Sequence, residues 1–369
     1  QIVSRRFKTH VGGNIGKSLL QTLDDIGKGD IVVLELSSFQ LEDLPQVAIS
    51  PQIALITNLT ANHLDRHGTM DAYGQAKQNI FRFQEPGDVA IFNSACPITS
   101  KWAALAPGRV DFFDGGGMGD SRGTGVSPVS SSVAAVPAAR VSGVRTHASP
   151  SGSPAQNQCE ETHERDTHAT FALAVPGAHN QANAQAAWAV ARQLGIDHQT
   201  AQAALKDFTG LPHRLQFVCE LGGITYYNDS KCTTPGGAIV AIESFAPRTA
   251  VIIVGGYDKH VSFDQMGEAL ANRAKAVVAV GATRDQIIAA IEKHVGRPCL
   301  PGSATADNAL PDMPVVVTAP DFDSAVAAAK SLASPGDTVL LSPACASYDM
   351  FKNYEERGQR FVDLVKQVG

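Results

Sequence analysis

The 369-residue chain has no run of about 18 apolar residues, so nothing in it reads as a membrane-spanning helix. Nor is there a surplus of positive charge. Its 30 Lys and Arg face 36 Asp and Glu, and the resulting formal charge of −6 provides no basic field for nucleic acid. An anionic ligand would have to be held by a few placed cations. The six cysteines, at 96, 159, 219, 232, 299 and 345, form no CxxC pair and no dense disulfide spacing, and they read as reduced cytosolic thiols. The opening QIVSRRFKTHVGG lacks an initiator Met, a secretory apolar core and an Arg/Ser-rich transit pattern. We expect a cytoplasmic protein fragment with its amino terminus missing.

Hydrophobic residues make up 44% and charged residues 18%, the balance of an ordinary globular protein, and the length suits two domains with separate cores. DIVVLEL (30–36), QIALITN (52–58) and GDVAIFN (87–93) are short β-branched runs that predict buried strands. Between them, 69–83 turns helical. Thr69 is placed to cap that helix, and Tyr73, Ala76, Lys77 and Ile80 share one face. Residues 114–165 are rich in Gly, Ser, Pro and Ala, with few large side chains to offset ordering entropy, and we expect most of them to form a disordered insertion, the alternative being an inter-domain linker of unusual length. A strand-like THATFALAVPG follows, then an Ala-rich helix over 179–206 that closes a first domain at about residue 210. From 211 on, strands at 215–220, 223–228, 249–254, 275–280, 314–318 and 337–342 alternate with helices at 235–244, 263–273, 283–294, 322–333 and 350–367. That alternation predicts a mostly parallel α/β sheet, with ligands at the carboxyl ends of its strands.

Several residues stand at those ends. Glu35 closes one strand, with Ser37 and Ser38 behind it, and His63 follows the next. Either could be an ordinary solvated residue; together they are compatible with a divalent ion on a phosphate, because Mg²⁺ takes few protein ligands. NDSKCTTPGG (228–237) brings Asp229, Ser230, Lys231 and Thr233 to a helix start, which suits an anion or plain capping. VGGYDKH (254–260) adds a lysine after a glycine pair that tight turns need anyway. Ser342 and Ser347 follow the last strand, and Cys345 between them has no partner base and reads as a buried structural thiol.

Taken in order, GGNIG, ELSSFQLE, HLDRHG…Y…K, PGAHNQAN, LPHRL, NDSKCTTP, GGYDKH and SPACASYDMFKNYEERG resemble the Mur ligase family, most closely its D-glutamate-adding branch, over nearly the whole chain outside the insertion. The resemblance implies an α/β fold: an incomplete central ATPase-type domain over 1–210, then a Rossmann-like amino-acid-binding domain over 211–369. It implies an ATP-dependent ligase of peptidoglycan synthesis, joining D-glutamate to UDP-N-acetylmuramoyl-L-alanine through an acyl phosphate and acting as a monomer. By the same resemblance Glu35, His63 and Lys77 belong to two Mg²⁺ sites, Lys77 as a carbamate. Asn14 and Ser37 would contact the UDP-sugar and phosphates, and Asn183, His213, Arg214 and Asp229 the nucleotide. Lys231 would stabilise the reacting phosphoryl and acyl oxygens, while Thr233, Lys259, Ser347 and Tyr354 would hold D-glutamate. A lysine with an ordinary pKa of about 10.4 is rarely neutral enough to react with CO₂, so a desolvated Lys77 is expected.

Three features depart from that pattern. The family's glycine-rich GTNGKS loop is absent and should lie upstream of GGNIG, together with the UDP-binding domain; GNIGKS at 13–18 imitates it without following a hydrophobic strand. Asn62 stands where an Asp is usual beside His63, and Cys232 where an Ala is usual. Without the loop the polypeptide alone is expected not to complete the reaction. Two other readings remain: a non-catalytic ligand-binding remnant, and a folylpolyglutamate synthase-like ligase, against which Ser-Ser-Phe-Gln at 37–40 argues.

Overall fold

A computed structural model describes residues 1–15, 18–60, 63–115, 132–137, 170–296 and 313–367. These fall into two compact units. One comprises the described residues up to 115, 132–137, 170–172 and 181–207; the other comprises 173–180 and 208 onward. Among the described residues no helix is long and apolar enough to cross a membrane.

The first unit contains β1 (Thr9–Gly13), β2 (Ile31–Leu36), α1 (Ser38–Glu42), α2 (Leu44–Val47), β3 (Ile53–Ile56), α3 (Leu64–His67), α4 (Met70–Arg82), β4 (Val89–Asn93), β5 (Arg109–Phe113) and β6 (Ser132–Pro137). Helices α5 (Ala178–Gln193, whose first turn groups with the second unit) and α6 (His198–Lys206) follow. The sheet order is β1-β2-β6-β3-β4-β5, with every pairing parallel except those of β6. Alternation along the strands covers both faces. Ala54, Ile56, Ala90 and Phe92 pack with Tyr73, Ile80 and Phe81, while Ile53, Leu55, Val89 and Ile91 pack with Ala186, Ala189 and Val190.

In the second unit β7 (Gln216–Leu221) and β8 (Ile224–Asn228) form a hairpin. Gly222 and Gly223 turn it, at φ 60° and 76°, the left-handed pair such a two-residue loop requires. Then come α7 (Pro235–Glu243), β9 (Ala250–Val254), α8 (Asp264–Arg273), β10 (Ala276–Ala279), α9 (Arg284–Val295), β11 (Val315–Thr318), α10 (Phe322–Leu332), β12 (Thr338–Leu341) and α11 (Tyr354–Lys366). The order β11-β10-β9-β12-β8-β7 is parallel apart from the hairpin. Crossovers between parallel strands bring the loops after β8, β9 and β12 to one edge.

Four expectations need correction. Most of the stretch 114–165 was expected to be disordered, with no strand in it, yet Ser132–Pro137 forms β6, antiparallel between β2 and β3. Two neighbouring strands leave a row of polar backbone groups between them, and an extended segment running in either direction can satisfy both rows. The remainder of that stretch, from 116 to 131 and from 138 to 165, lies outside the described residues, as do Lys17, Asn62, Cys159 and Cys299. The strand expected in THATFALAVPG does not form over 170–177. Side-chain amides take the place of a neighbouring strand there: Gln181 bonds the backbone N–H and C=O of Phe171 (3.2 and 2.6 Å), and Gln202 those of Ala172 (both 3.1 Å). The single helix expected over 179–206 is two, broken where Gly195 turns left-handed (φ 69°) and Asp197 caps α6 through Thr200 N–H at 2.8 Å. The last helix starts at Tyr354 rather than 350, because Asn353 caps it through Glu356 N–H at 2.8 Å. GNIGKS does follow a strand, but β1 is an edge strand whose one large apolar residue, Val11, is 51% exposed.

Helix α5 is fastened to edge strand β5 by a largely buried ion pair. Arg192 donates to both oxygens of Asp111 (3.1 and 2.7 Å) and to Phe112 O (2.8 Å), and Gln193 reaches the same carboxylate at 2.5 Å. Removing one partner strands a buried charge, so Arg192→Ala is expected to cost about 3 kcal/mol. Urea denaturation followed by far-UV circular dichroism tests this; an unchanged midpoint would show that the pair does not fasten the helix.

Candidate functional site

In the first unit the sequence candidates gather at the carboxyl ends of β1, β2 and β3. Gly13 pairs with Glu35 in the parallel register, at φ 91°, and a Cβ on it would sit 2.1 Å from Glu35 O, so only glycine lets the two strand ends approach. The next residue, Asn14, donates its backbone N–H to Glu35 O at 2.8 Å, and its side-chain amide lies 3.4 Å from Glu35 Oε1. Ser37 caps α1 in a reciprocal box with Gln40, its hydroxyl accepting from Gln40 N at 3.2 Å while Gln40 Oε1 accepts from Ser37 N at 2.9 Å.

His63 begins α3 in the left-handed region (φ 54°), and its exposed ring meets Phe39 edge-on at 5.0 Å and Tyr73 at 6.4 Å. Lys77, one turn beyond Tyr73 on the buried face of α4, is 3% exposed, with Nζ 5.9 Å from the Tyr73 ring. Burial pulls its pKa down to about 8, against the opposing attraction of Glu35. At pH ~7 about one such amine in ten is neutral, against about one in 3,000 for an exposed lysine. This is the desolvated lysine the sequence called for. Glu35, His63, Tyr73 and Lys77 therefore form one neighbourhood.

The second unit sorts its candidates into two groups. In the first, His213 and Leu215 take left-handed backbone conformations (φ 59° and 41°) on either side of the exposed Arg214. Asp229, 6% exposed, holds this turn from behind: one oxygen accepts from Leu215 N (3.1 Å), the other from Ser342 Oγ (2.7 Å). Burial raises its pKa to about 6. Lys231 N–H bonds His213 O at 3.0 Å, and its ammonium lies 5.5 Å from the Tyr354 ring, which also meets the His213 ring at 5.9 Å. Asn228 joins His213 Nδ1 to Gly358 O, both at 3.1 Å, and a Cβ on Gly358 would strike that imidazole at 2.2 Å.

In the second group Lys259 Nζ approaches Thr233 O at 3.5 Å, and both residues line a cavity of about 40 Å³ with Tyr257, Val261 and Cys345. Ser347 is buried in the turn after β12, its carbonyl accepting from Met350 N and Phe351 N. Tyr354, grouped with Thr233 and Lys259 in the sequence reading, thus lies beside Lys231 and His213. Asn183 is exposed on α5 in the first unit. Cys345 matches its reading as a structural thiol: it is 3% exposed, 3.3 Å from Thr283 Oγ1, and burial pushes its pKa up.

Arg357 escaped the sequence reading. It is 1% exposed, and its guanidinium donates to Ser230 Oγ (3.0 Å), Ser230 O (2.8 Å) and Cys345 O (3.0 Å), tying α11 to the loops that carry Lys231 and Ser347. A signal existed: Tyr354, Arg357, Phe361 and Val365 follow the apolar face of α11, where a charge is out of place. Phe39, whose ring meets that of His63, and the paired His67 and Glu42 were also missed; His67 stands four residues from His63 on the same turn.

Glu35 and His63 offer one carboxylate and one imidazole, and among the described residues no cluster of three or more His, Cys, Asp or Glu could hold a metal. So sparse a donor set suits a hard cation that keeps most of its waters and shares phosphate oxygens, and does not suit a structural zinc.

The Mur ligase middle domain matches residues 13–191, and the Mur ligase glutamate ligase domain matches 213–345. The chain is 37% identical over 363 residues to the UDP-N-acetylmuramoylalanine–D-glutamate ligase of Symbiobacterium thermophilum, covering 98% of the chain and 70% of that protein. It is 36% identical over 359 residues to the protein of the same name from Pelotomaculum thermopropionicum, covering 97% and 69%. Among solved structures it aligns with MurF from Acinetobacter baumannii (TM-score 0.58, 18% identity, 98% of this chain and 72% of the other). It also aligns with MurF ligase from Thermotoga maritima in complex with ADP (TM-score 0.57, 14% identity, 100% and 76%), and at such identities the likeness is one of fold. Family domains covering both units, and relatives above a third identical along nearly all of the chain, establish that it belongs to the Mur ligase family.

Proposed function

We propose that the chain is an ATP-dependent ligase that joins D-glutamate to UDP-N-acetylmuramoyl-L-alanine in peptidoglycan synthesis. The observation that carries this reading is the alignment with relatives named for that reaction over nearly the whole chain. The alanyl carboxylate attacks the γ-phosphorus of ATP and ADP leaves, giving an acyl phosphate; the amine of D-glutamate then attacks the acyl carbon, loses a proton, and phosphate departs. Two anions must meet in the first step and an oxyanion forms in the second, so cations placed beforehand lower both barriers. Lys231, its ammonium over the Tyr354 ring and its backbone tied to His213, suits the reacting oxygens. Arg214 offers a two-pronged donor for phosphate, on a turn that Asp229 holds in place. His213, beside it on the same turn, would add a further nucleotide contact.

Thr233, Lys259, Ser347 and Tyr354 would receive the two carboxylates of D-glutamate, while Asn14 and Ser37 would face the UDP-sugar and its phosphates. Glu35 and His63 would hold Mg²⁺, which neutralises phosphate charge when bound. The neutral amine of Lys77 would add to CO₂ and lose a proton, replacing a buried cation by an anionic oxygen ligand beside Glu35. The support for that step is the burial of Lys77 and its lowered pKa.

In a polypeptide that also carries the glycine-rich phosphate loop and the UDP-binding domain ahead of these residues, ADP release is expected to require D-glutamate, Mg²⁺ and the UDP-sugar together, with L-glutamate at least about a hundredfold poorer in kcat/KM. Comparable rates with the two enantiomers would count against the substrate assignment. In that same longer polypeptide Lys77→Ala is expected to reduce turnover by about a hundredfold or more, and small carboxylates such as formate to restore part of it; undiminished turnover would remove the carbamate. In metal-free, CO₂-depleted buffer a lysine whose pKa is depressed on folding stabilises the fold above its unfolded value and loses that contribution as pH falls through about 8. Thermal melts on either side of that pH should show the loss in wild type and its absence in Lys77→Met. Parallel profiles would mean that Lys77 is solvated.

A further inference from the structure

The turn α3 is only four residues long and cannot persist by its own hydrogen bonds, yet it fixes His63 in a left-handed conformation that costs a non-glycine residue about 1 kcal/mol. Something outside the turn must hold it. Both Arg66 N and His67 N bond His63 O, at 3.1 and 3.0 Å, so the far end of the turn sets where His63 sits. At that end the His67 side chain is 2% exposed and bracketed: Nε2 lies 2.9 Å from Ser38 Oγ and Nδ1 3.1 Å from Glu42 Oε1. Its ring stacks on Phe39 (5.6 Å, 13°) and leans on Tyr73 (5.1 Å), the same two rings that flank His63. The other oxygen of Glu42 takes Arg66 at 2.9 Å, and that guanidinium lies 4.7 Å from the Phe39 ring centroid.

We propose that His67, held between Ser38 and Glu42, is a positioning residue that sets His63 for its metal, an inference that rests on the reading of His63 as a metal-site residue. The Ser38–His67–Glu42 line has the spacing of an acid–base relay, but Ser38 is 2% exposed and no substrate reaches its hydroxyl, so the arrangement serves to hold rather than to react. Glu42 and Ser38 lie on α1, directly after Glu35 and Ser37, so the bracket ties the strand end bearing one proposed ligand to the turn bearing the other.

The test is Mn²⁺ affinity, read from the electron paramagnetic resonance signal of the unbound ion, in His67→Phe, Glu42→Gln, His63→Ala and the double variant His63→Ala/His67→Phe. Phenylalanine keeps the stack and removes both hydrogen bonds; Glu42→Gln attacks the same bracket from a partly exposed residue should the first variant fail to fold. His67→Phe is expected to weaken Mn²⁺ binding about tenfold, and the double variant to bind no more weakly than His63→Ala alone. In turnover by the longer polypeptide that carries the phosphate loop, the Mg²⁺ concentration for half-maximal rate should rise while the rate at saturating Mg²⁺ recovers. Wild-type affinity in both His67→Phe and Glu42→Gln, with affinity lost in His63→Ala, would overturn the positioning role alone. Full affinity in His63→Ala would sink the metal reading of His63 and the proposal with it, and an added tenfold loss in the double variant would show that His67 acts by another route.

Discussion

Parallel strands all present their carboxyl ends at the same edge of a sheet, and the chemistry of both units depends on that constraint. In the first unit it gathers Asn14, Glu35 and His63, which are separated by 21 and 28 residues in the chain; in the second it gathers the loops after β8, β9 and β12. The inner strands β3, β9, β10 and β12 are buried along their whole length, while β1, β5 and β7 at the sheet edges stay partly exposed. The antiparallel β6 obeys the same accounting: the backbone groups between β2 and β3 must be paired, whatever the direction of the segment that pairs them.

Two buried cations show how the same environment yields different outcomes. Lys77 answers desolvation by approaching neutrality, with a pKa near 8, because an ammonium can shed its proton. Arg357 is lowered only to about 10 and stays charged at neutral pH, so its donors must be satisfied, and Ser230 and Cys345 do this. The lysine is thereby brought close to neutrality. The arginine becomes a fastening between the loops that carry Lys231 and Ser347, and Asp229 plays a comparable part behind Arg214. Much of what surrounds the candidate residues is of this kind, polar groups spent on holding other polar groups in place.

Strands and amphipathic helices were legible because their signals are local. β-branched runs fixed β2, β3, β4 and β9, and the i, i+3, i+4 pattern put Lys77 on the inner face of α4. Where the readings failed, the cause was distant in one case and local in the other. Gln181 and Gln202 replaced a strand's neighbours at Phe171 and Ala172, and a glycine with a new cap divided one long helix into α5 and α6.

The order and spacing of its motifs let the sequence by itself determine the family, the α/β class and the residue types available for phosphate, metal and amino-acid contacts. Only the tertiary structure decided how dry Lys77 is, that Tyr354 stands beside Lys231, that Asp229 faces inward to Leu215 and Ser342, and that His67 is clasped 29 residues from Ser38. Periodicity is written into consecutive residues. Desolvation and hydrogen-bond partnership belong to whichever segments the fold brings together, and those are not neighbours in the chain.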